Sequence, residues 1–169
     1  MTKLLFLDVD GVLTDGKVVF GRHEEFRNFN VLDGVGIFMA KGAGLNVVLI
    51  SGKTCDAVDK RASELGVECH QGVISKLELV NEILKRDGIS LHEAAFVGDD
   101  LPDLEPMKAV GFPIAVQNAV AEVKQISKAV TSIKGGEGAV REAIELILKK
   151  EGKWGEALLS YQRASTRTR

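Results

Sequence analysis

The chain is short of cysteine and histidine, has no excess of either charge and contains no long apolar run, and each shortage removes a class of function. Only Cys55 and Cys69 occur, at a spacing that fits neither a metal-ligand pair nor a disulfide framework, so both read as structural thiols. His23, His70 and His92 stand apart from the motifs described below and are assigned no catalytic role. Lys and Arg number 22 against 24 Asp and Glu, a formal net charge of -2, which argues against nucleic acid or an anionic membrane surface as partner. No stretch approaches the ~20 apolar residues of a membrane span. The N-terminal apolar run meets Asp8 too early for a signal peptide, so the expected compartment is the cytoplasm. What is present is 169 residues, 45% hydrophobic and 27% charged, the composition of one globular domain with a full core.

Short apolar runs alternate with amphipathic stretches. KLLFLD, NVVLIS, AAFVGD, FPIAV and AVTSI are continuous and aliphatic, as in strands covered on both faces. Residues 33–43, 54–65, 76–85, 103–110, 119–127 and 137–149 carry apolar residues at helical spacing, with a further short strand expected before residue 75. The alternation predicts right-handed βαβ units and an α/β domain with a doubly wound parallel sheet. Residues 18–29, VVFGRHEEFRNF, break the pattern as two short strands around a polar turn, a β-hairpin projecting from the sheet. The domain is expected over 1–155, and the polar, basic end of 156–169 as a flexible tail.

The strand ends carry the chemistry. The first delivers Asp8 and Asp10, whose i, i+2 spacing puts them on one side if strand geometry persists. NVVLIS delivers Ser51, Lys76 opens a helix, and FVGDDLPDL delivers Asp99, Asp100 and Asp103. Singly, these read as caps, turn residues or solvated surface; together they bring polar groups from separate elements to the sheet edge where ligands bind. Clustered carboxylates suit a hard divalent cation, Mg²⁺ when phosphate oxygens complete its shell. With Asp8, Asp99, a phosphate dianion, Mg²⁺ and Lys76 the charge sums to about -1, against about -4 without metal and lysine, so a phosphate site here requires the metal.

Asp8-x-Asp10-Gly11, Ser51-Gly52, Lys76 and Gly98-Asp99-Asp100-x-x-Asp103 together resemble the four motifs of the haloacid dehalogenase superfamily. More narrowly, DVDGVLTDG, FNVLDGVGI, QGVISKLELV, VGDDLPDLEPMKAVG and GGEGAVREAIELIL are similar to the 3-deoxy-D-manno-octulosonate 8-phosphate phosphatases of lipopolysaccharide biosynthesis, over roughly residues 3–155. The resemblance implies a Rossmann-like fold and a magnesium-dependent phosphatase working through an aspartyl-phosphate. Asp8 would be the nucleophile and Asp10 the general acid and base, while Ser51 would bond the phosphoryl group and Lys76 would stabilise its charge. Asp8, Asp99 and, through its backbone carbonyl, Asp10 would ligate Mg²⁺, with Asp100 and Asp103 behind them. For the sugar acid's carboxylate, Arg61 is the best candidate, since a guanidinium can hold a carboxylate bidentately. Asn30, Asp33 and Gly34 match the family's substrate loop, and Lys53 stands where many relatives have Arg. Leu32 and Phe38 stand where some carry basic residues.

Two other readings compete. A phosphoryl-accepting receiver domain shares the sheet, the acidic cluster, Mg²⁺, a hydroxyl and a lysine, but places its acidic pair after the first strand and its acceptor later; here the D-x-D-G comes first. A non-catalytic accessory subunit is disfavoured because every motif residue is present. Within the phosphatase reading, 2-keto-3-deoxy nonulosonate 9-phosphates are the alternative substrates. Neither 11–50 nor 52–75 has room for a cap domain, so another subunit is expected to cover the site through the hairpin and the segment KGGEGAVRE. The resemblance implies a homotetramer joined through Val18, Val19, Phe20, Phe26 and Phe29.

Overall fold

The computed structural model describes residues 1–167, with side chains through Ala164. Its main sheet has six parallel strands in the order β5-β4-β1-β6-β7-β8, where β1 is Leu4–Asp8, β4 Asn46–Ile50, β5 Glu68–His70, β6 Ala94–Gly98, β7 Phe112–Ala115 and β8 Ala129–Val130. Helices α1 (Val31–Gly42), α2 (Asp56–Leu65), α3 (Lys76–Asp87), α4 (Leu104–Ala109) and α5 (Ala121–Ile126) lie in the crossovers, and α6 (Ala139–Lys150) follows β8. β1 and β6 are buried throughout their length, as their uninterrupted apolar runs require. Chain order reverses across β1, which pairs with β4 on one side and β6 on the other. A crevice therefore opens beyond the carboxyl ends of these three strands.

Local signals fix the helix ends. Asn30 caps α1 by accepting from the Leu32 amide, and Ser75 caps α3 by accepting from the Glu78 amide. Gly66 and Gly88 end α2 and α3 in the left-handed conformation. β8 stops at Val130, short of the expected run to Ile133, because the Glu142 carboxylate of α6 takes the Ser132 and Ile133 amides at 2.9 and 3.0 Å.

The hairpin is present but short: β2 (Val19–Phe20) pairs antiparallel with β3 (Glu25–Phe26), outside the main sheet. Val19, Phe20 and Phe26 are exposed, while Val18 and Phe29 are half-buried. The expected flexible tail differs most. Trp154–Arg167 form α7, with Ala157 fully buried and Tyr161 edge-on to Phe38 at 5.8 Å. Polar residues dominate its sequence, yet an apolar stripe suffices to dock it on α1 and α6. Residues 168 and 169 lie outside the described residues.

Candidate active site

Strand geometry does not persist from Asp8 to Asp10. The chain leaves β1 in a tight turn over Val9–Leu13, in which Gly11 has φ +98° and a Cβ would lie 2.1 Å from Asp99 Oδ2. Thr14 Oγ1 accepts the Gly11 and Gly16 amides at 3.2 Å each and holds the turn. The glycine-rich segment packs on it from the same chain: Gly136 donates its amide to Val12 O at 3.1 Å, and a Cβ on Gly135 would collide with Gly11 O at 1.7 Å. KGGEG, expected to cover a neighbour's site, packs against the Val9–Leu13 turn of its own chain.

Around this turn the cluster assembles. Asp8 ends β1, Asp99 follows β6, Asp103 closes a short 3₁₀ turn, and Lys76 begins α3. Lys76 Nζ donates to Asp8 Oδ1 at 2.5 Å and to Asp103 Oδ1 at 2.6 Å, and all three side chains are buried. Asp103 Oδ2 accepts the Asp99 amide at 3.0 Å and the Asp100 amide at 3.5 Å. Burial, then the neighbouring Asp103, holds the Asp8 carboxyl well above the usual carboxylate range despite Lys76. Asp99 is pushed up to about 7 by burial first and then by Asp103 and Asp100. Burial opposes the charge on Lys76, but Asp8 and Asp103 outweigh it and raise the ammonium. One ammonium therefore faces more negative charge than it can balance.

A divalent cation fits that imbalance. Carboxylate oxygens of Asp8, Asp99 and Asp103 lie within 4.8 Å of one another, an all-oxygen donor set suited to Mg²⁺. The Asp10 carboxylate is outside this group, its Oδ1 turned to Arg27, while Asp103 stands closer than expected. Asp100 caps its own turn, accepting the Leu101 amide at 2.8 Å.

Ser51 is buried one residue beyond Ile50, which pairs with Asp8. Its Oγ accepts the Lys53 amide at 3.1 Å, leaving the hydroxyl proton for an anion. The Lys53 side chain is exposed. Arg61 lies beside the exit of the hairpin, stacked 5.8 Å from the Phe29 ring, and donates to Asn30 O at 3.2 Å and Glu64 Oε2 at 3.1 Å. A Cβ on Gly34 would sit 2.9 Å from Arg61 Nη2, so the missing side chain makes room for the guanidinium. A cleft of about 440 Å³ lined by Arg27, Asn28, Phe29, Lys60, Arg61 and Glu64 opens here. Asp33 is elsewhere: fully buried, it accepts the Arg141 amide at 2.9 Å in the first turn of α6. Its expected place against substrate is corrected to a helix cap, because helix periodicity turns it inward from the exposed Val31 and Leu32. Burial, chiefly, raises its carboxyl to about 6.

Arg27 was not legible as a site residue. It is buried, and its Nε donates to Asp10 Oδ1 at 2.8 Å. Its only sequence signal is a cation flanked by Phe26 and Asn28 at the end of the hairpin.

A parallel sheet whose central strand ends in an aspartate held by a lysine and backed by two further aspartates defines a class of metal-assisted phosphoryl-transfer enzymes. Comparison with known proteins narrows it. Residues 67–144 match the haloacid dehalogenase-like hydrolase family. The chain is 41% identical over 157 residues to the 3-deoxy-D-manno-octulosonate 8-phosphate phosphatase KdsC of Escherichia coli K12, covering 92% of this chain and 84% of that one. The Yersinia pestis KdsC is 39% identical over 153 residues, 89% of this chain and 82% of its own. Among solved structures, the Moraxella catarrhalis 3-deoxy-D-manno-octulosonate 8-phosphate phosphatase, in complex with magnesium, phosphate and KDO, aligns with TM-score 0.91 and 38% identity over 95% of this chain and 93% of that one. The cobalt-bound Haemophilus influenzae enzyme aligns with TM-score 0.88 and 33% identity over 94% and 96%. The chain belongs to the haloacid dehalogenase-like hydrolases.

Proposed function

We propose that this protein is a magnesium-dependent phosphomonoesterase that hydrolyses 3-deoxy-D-manno-octulosonate 8-phosphate in the cytoplasm. The observation that carries the reading is the buried Lys76 bridge between Asp8 and Asp103, with Asp99 beside it, in a chain 41% identical to a phosphatase of that substrate. Lys76 occupies Asp8 Oδ1, which fixes the carboxylate and directs its other oxygen at phosphorus. Asp10 delivers a proton to the leaving sugar oxygen as the P–O bond breaks, then takes one from the water that hydrolyses the aspartyl-phosphate. The Ser51 hydroxyl and the Lys76 ammonium stabilise the transferring phosphoryl oxygens. When bound, Mg²⁺ held by Asp8, Asp99 and the Asp10 carbonyl would neutralise phosphoryl charge as it develops.

Specificity follows from the cleft beside the hairpin. Arg61 is the candidate for the carboxylate, with Asn30 presenting its carbonyl to it and Gly34 making room for it, and Lys53 is a further candidate cation after Ser51. Assembly as a homotetramer is supported by the exposed Val19, Phe20 and Phe26 at 52%, 74% and 48%, an unusual concentration of apolar surface on a two-stranded hairpin. A monomer by sedimentation, fully active at nanomolar concentration, excludes that assembly.

Measuring kcat/KM on octulosonate 8-phosphate, nonulosonate 9-phosphates and hexose phosphates tests the substrate. Preference for a hexose phosphate removes the sugar-acid reading and spares the phosphatase one, and a nine-carbon preference changes the acid. Arg61→Ala is expected to weaken use of the sugar acid while sparing a small generic phosphate ester; equal losses on both show that Arg61 does not read the carboxylate.

A further inference from the structure

We propose that Arg27 is a positioning residue for the acid–base group, holding Asp10 in register with the leaving oxygen and tying that register to the hairpin. The proposal rests on the assignment of Asp10 as the acid and base. Its geometric basis is a guanidinium with every nitrogen engaged: Nε to Asp10 Oδ1 at 2.8 Å, Nη1 to the Phe26 carbonyl at 3.2 Å and Nη2 to Glu25 Oε2 at 3.1 Å. The Arg27 side chain is only 1% exposed.

Asp10 needs such a hold. It lies in the non-helical part of the turn, beside a glycine with φ +98°, and no backbone amide or other side chain among the described residues donates to its carboxylate. Without Arg27 the side chain would be free to rotate, and an acid displaced by about 1 Å from its leaving group loses much of its effect. Arg27 takes one oxygen and leaves Oδ2 with no donor among the described residues, for the sugar oxygen or water to use. The planar fork also makes the coupling directional, since two of its bonds go to the hairpin strand and one to the acid. A residue that served the hairpin alone would be satisfied by Glu25 and the Phe26 carbonyl. Aiming the Nε–H of a buried cation at Asp10 gives it a second task.

The test compares kcat/KM, which covers the steps through departure of the first alcohol, on an alkyl sugar phosphate and on p-nitrophenyl phosphate, whose phenolate leaves without protonation. Arg27→Gln is expected to lose on the order of tenfold or more on the alkyl ester, up to the ~10²–10⁴-fold that general acid catalysis supplies in full, and about threefold or less on the aryl ester. In an Asp10→Asn background the same change is expected to add no further loss, because Arg27 then has no acid to position. Equal losses on both esters, or a loss additive with Asp10→Asn, would show a purely structural anchor and overturn the proposal. Full activity in folded Arg27→Gln overturns it too. If Arg27→Gln does not fold, Arg27→Lys, which keeps a donor and the charge, is put through the same cycle: a few-fold loss confined to the alkyl ester and absent beside Asp10→Asn supports the coupling, and additivity refutes it. Asp10→Asn measured alone separates the two levels: if its own loss is independent of the leaving group, the acid–base assignment fails and this proposal with it, whereas a leaving-group-dependent loss there and none in the Arg27 variants refutes only the role of Arg27.

Discussion

Replacing Asp33 with Asn measures directly what burying this carboxylate costs. Asp33 is fully buried, one oxygen accepting the Arg141 amide and the other without a hydrogen-bond partner among the described residues. Its carboxyl is raised from 3.8 to about 6, by burial first, with the Arg141 amide and the Arg61 charge acting in the opposite direction. A raised acid is neutral in both states below its unfolded value, so it costs nothing there; as pH rises through the folded value the native state must carry an ion it disfavours, and stability is lost. The displacement corresponds to about 3 kcal/mol, setting in above pH 4 and complete near pH 7. Asn keeps the acceptor for the Arg141 amide and cannot ionise, so the difference in unfolding free energy between wild type and Asp33→Asn isolates that carboxyl. Urea unfolding at pH 4, 5, 6 and 7 is expected to show wild type losing about 3 kcal/mol relative to the variant, or about 6–12 °C in Tm for a domain of this size. A flat difference refutes the cost of burial. A wild type that gains over this interval would mean that Asp33 is ionised and stabilised by Arg61, the reverse of the balance inferred here.

Asp8→Asn is expected to abolish turnover with the fold intact, since an amide is a poor nucleophile and a weaker metal ligand, and removing Mg²⁺ with a chelator should match it; circular dichroism beside a phosphate-release assay checks both. In the wild type, Mg²⁺ at about 100 times its Kd should raise unfolding free energy by ~2.7 kcal/mol; no thermal shift would argue against Asp8 and Asp99 as its carboxylate ligands. Lys76→Met leaves Asp8 and Asp103 uncompensated, and the metal-free protein should lose about 3–5 kcal/mol by denaturant unfolding, with Mg²⁺ restoring stability but not activity. Gly11→Ala places a Cβ 2.1 Å from Asp99 Oδ2 at a φ of +98°, so isothermal titration should show sharply weakened Mg²⁺ binding.

The α/β class and the main site were legible because they depend on neighbours in sequence. Aliphatic runs such as NVVLIS can be buried on both faces only in a parallel sheet, and a strand that ends in Asp8 or leads into Asp99 delivers its acid at the ligand edge whatever the loops do. Lys76 was placed by the helical spacing of residues 76–85, and the structure adds Ser75 as the cap before it. Side-chain direction within the turn did not. The i, i+2 rule holds for a strand, and the turn at Val9–Leu13 sends Asp10 to Arg27, a partner separated by the whole hairpin.

The same distinction decides the remaining residues. Sequence alone settled the strands and crossover helices of the sheet and which acids stand at their ends, because periodicity and strand termini are local properties of the chain. Only the tertiary structure decided that Asp33 caps α6 instead of facing substrate, that Arg61 rests against Asn30 and Phe29, that KGGEG lies under Gly11, and that the polar tail folds onto α1 as a helix. Each of these contacts joins segments far apart in the chain, where a hydrogen bond or a close approach of two glycine backbones is set by how the sheet and helices pack and leaves no periodic trace in the residues themselves.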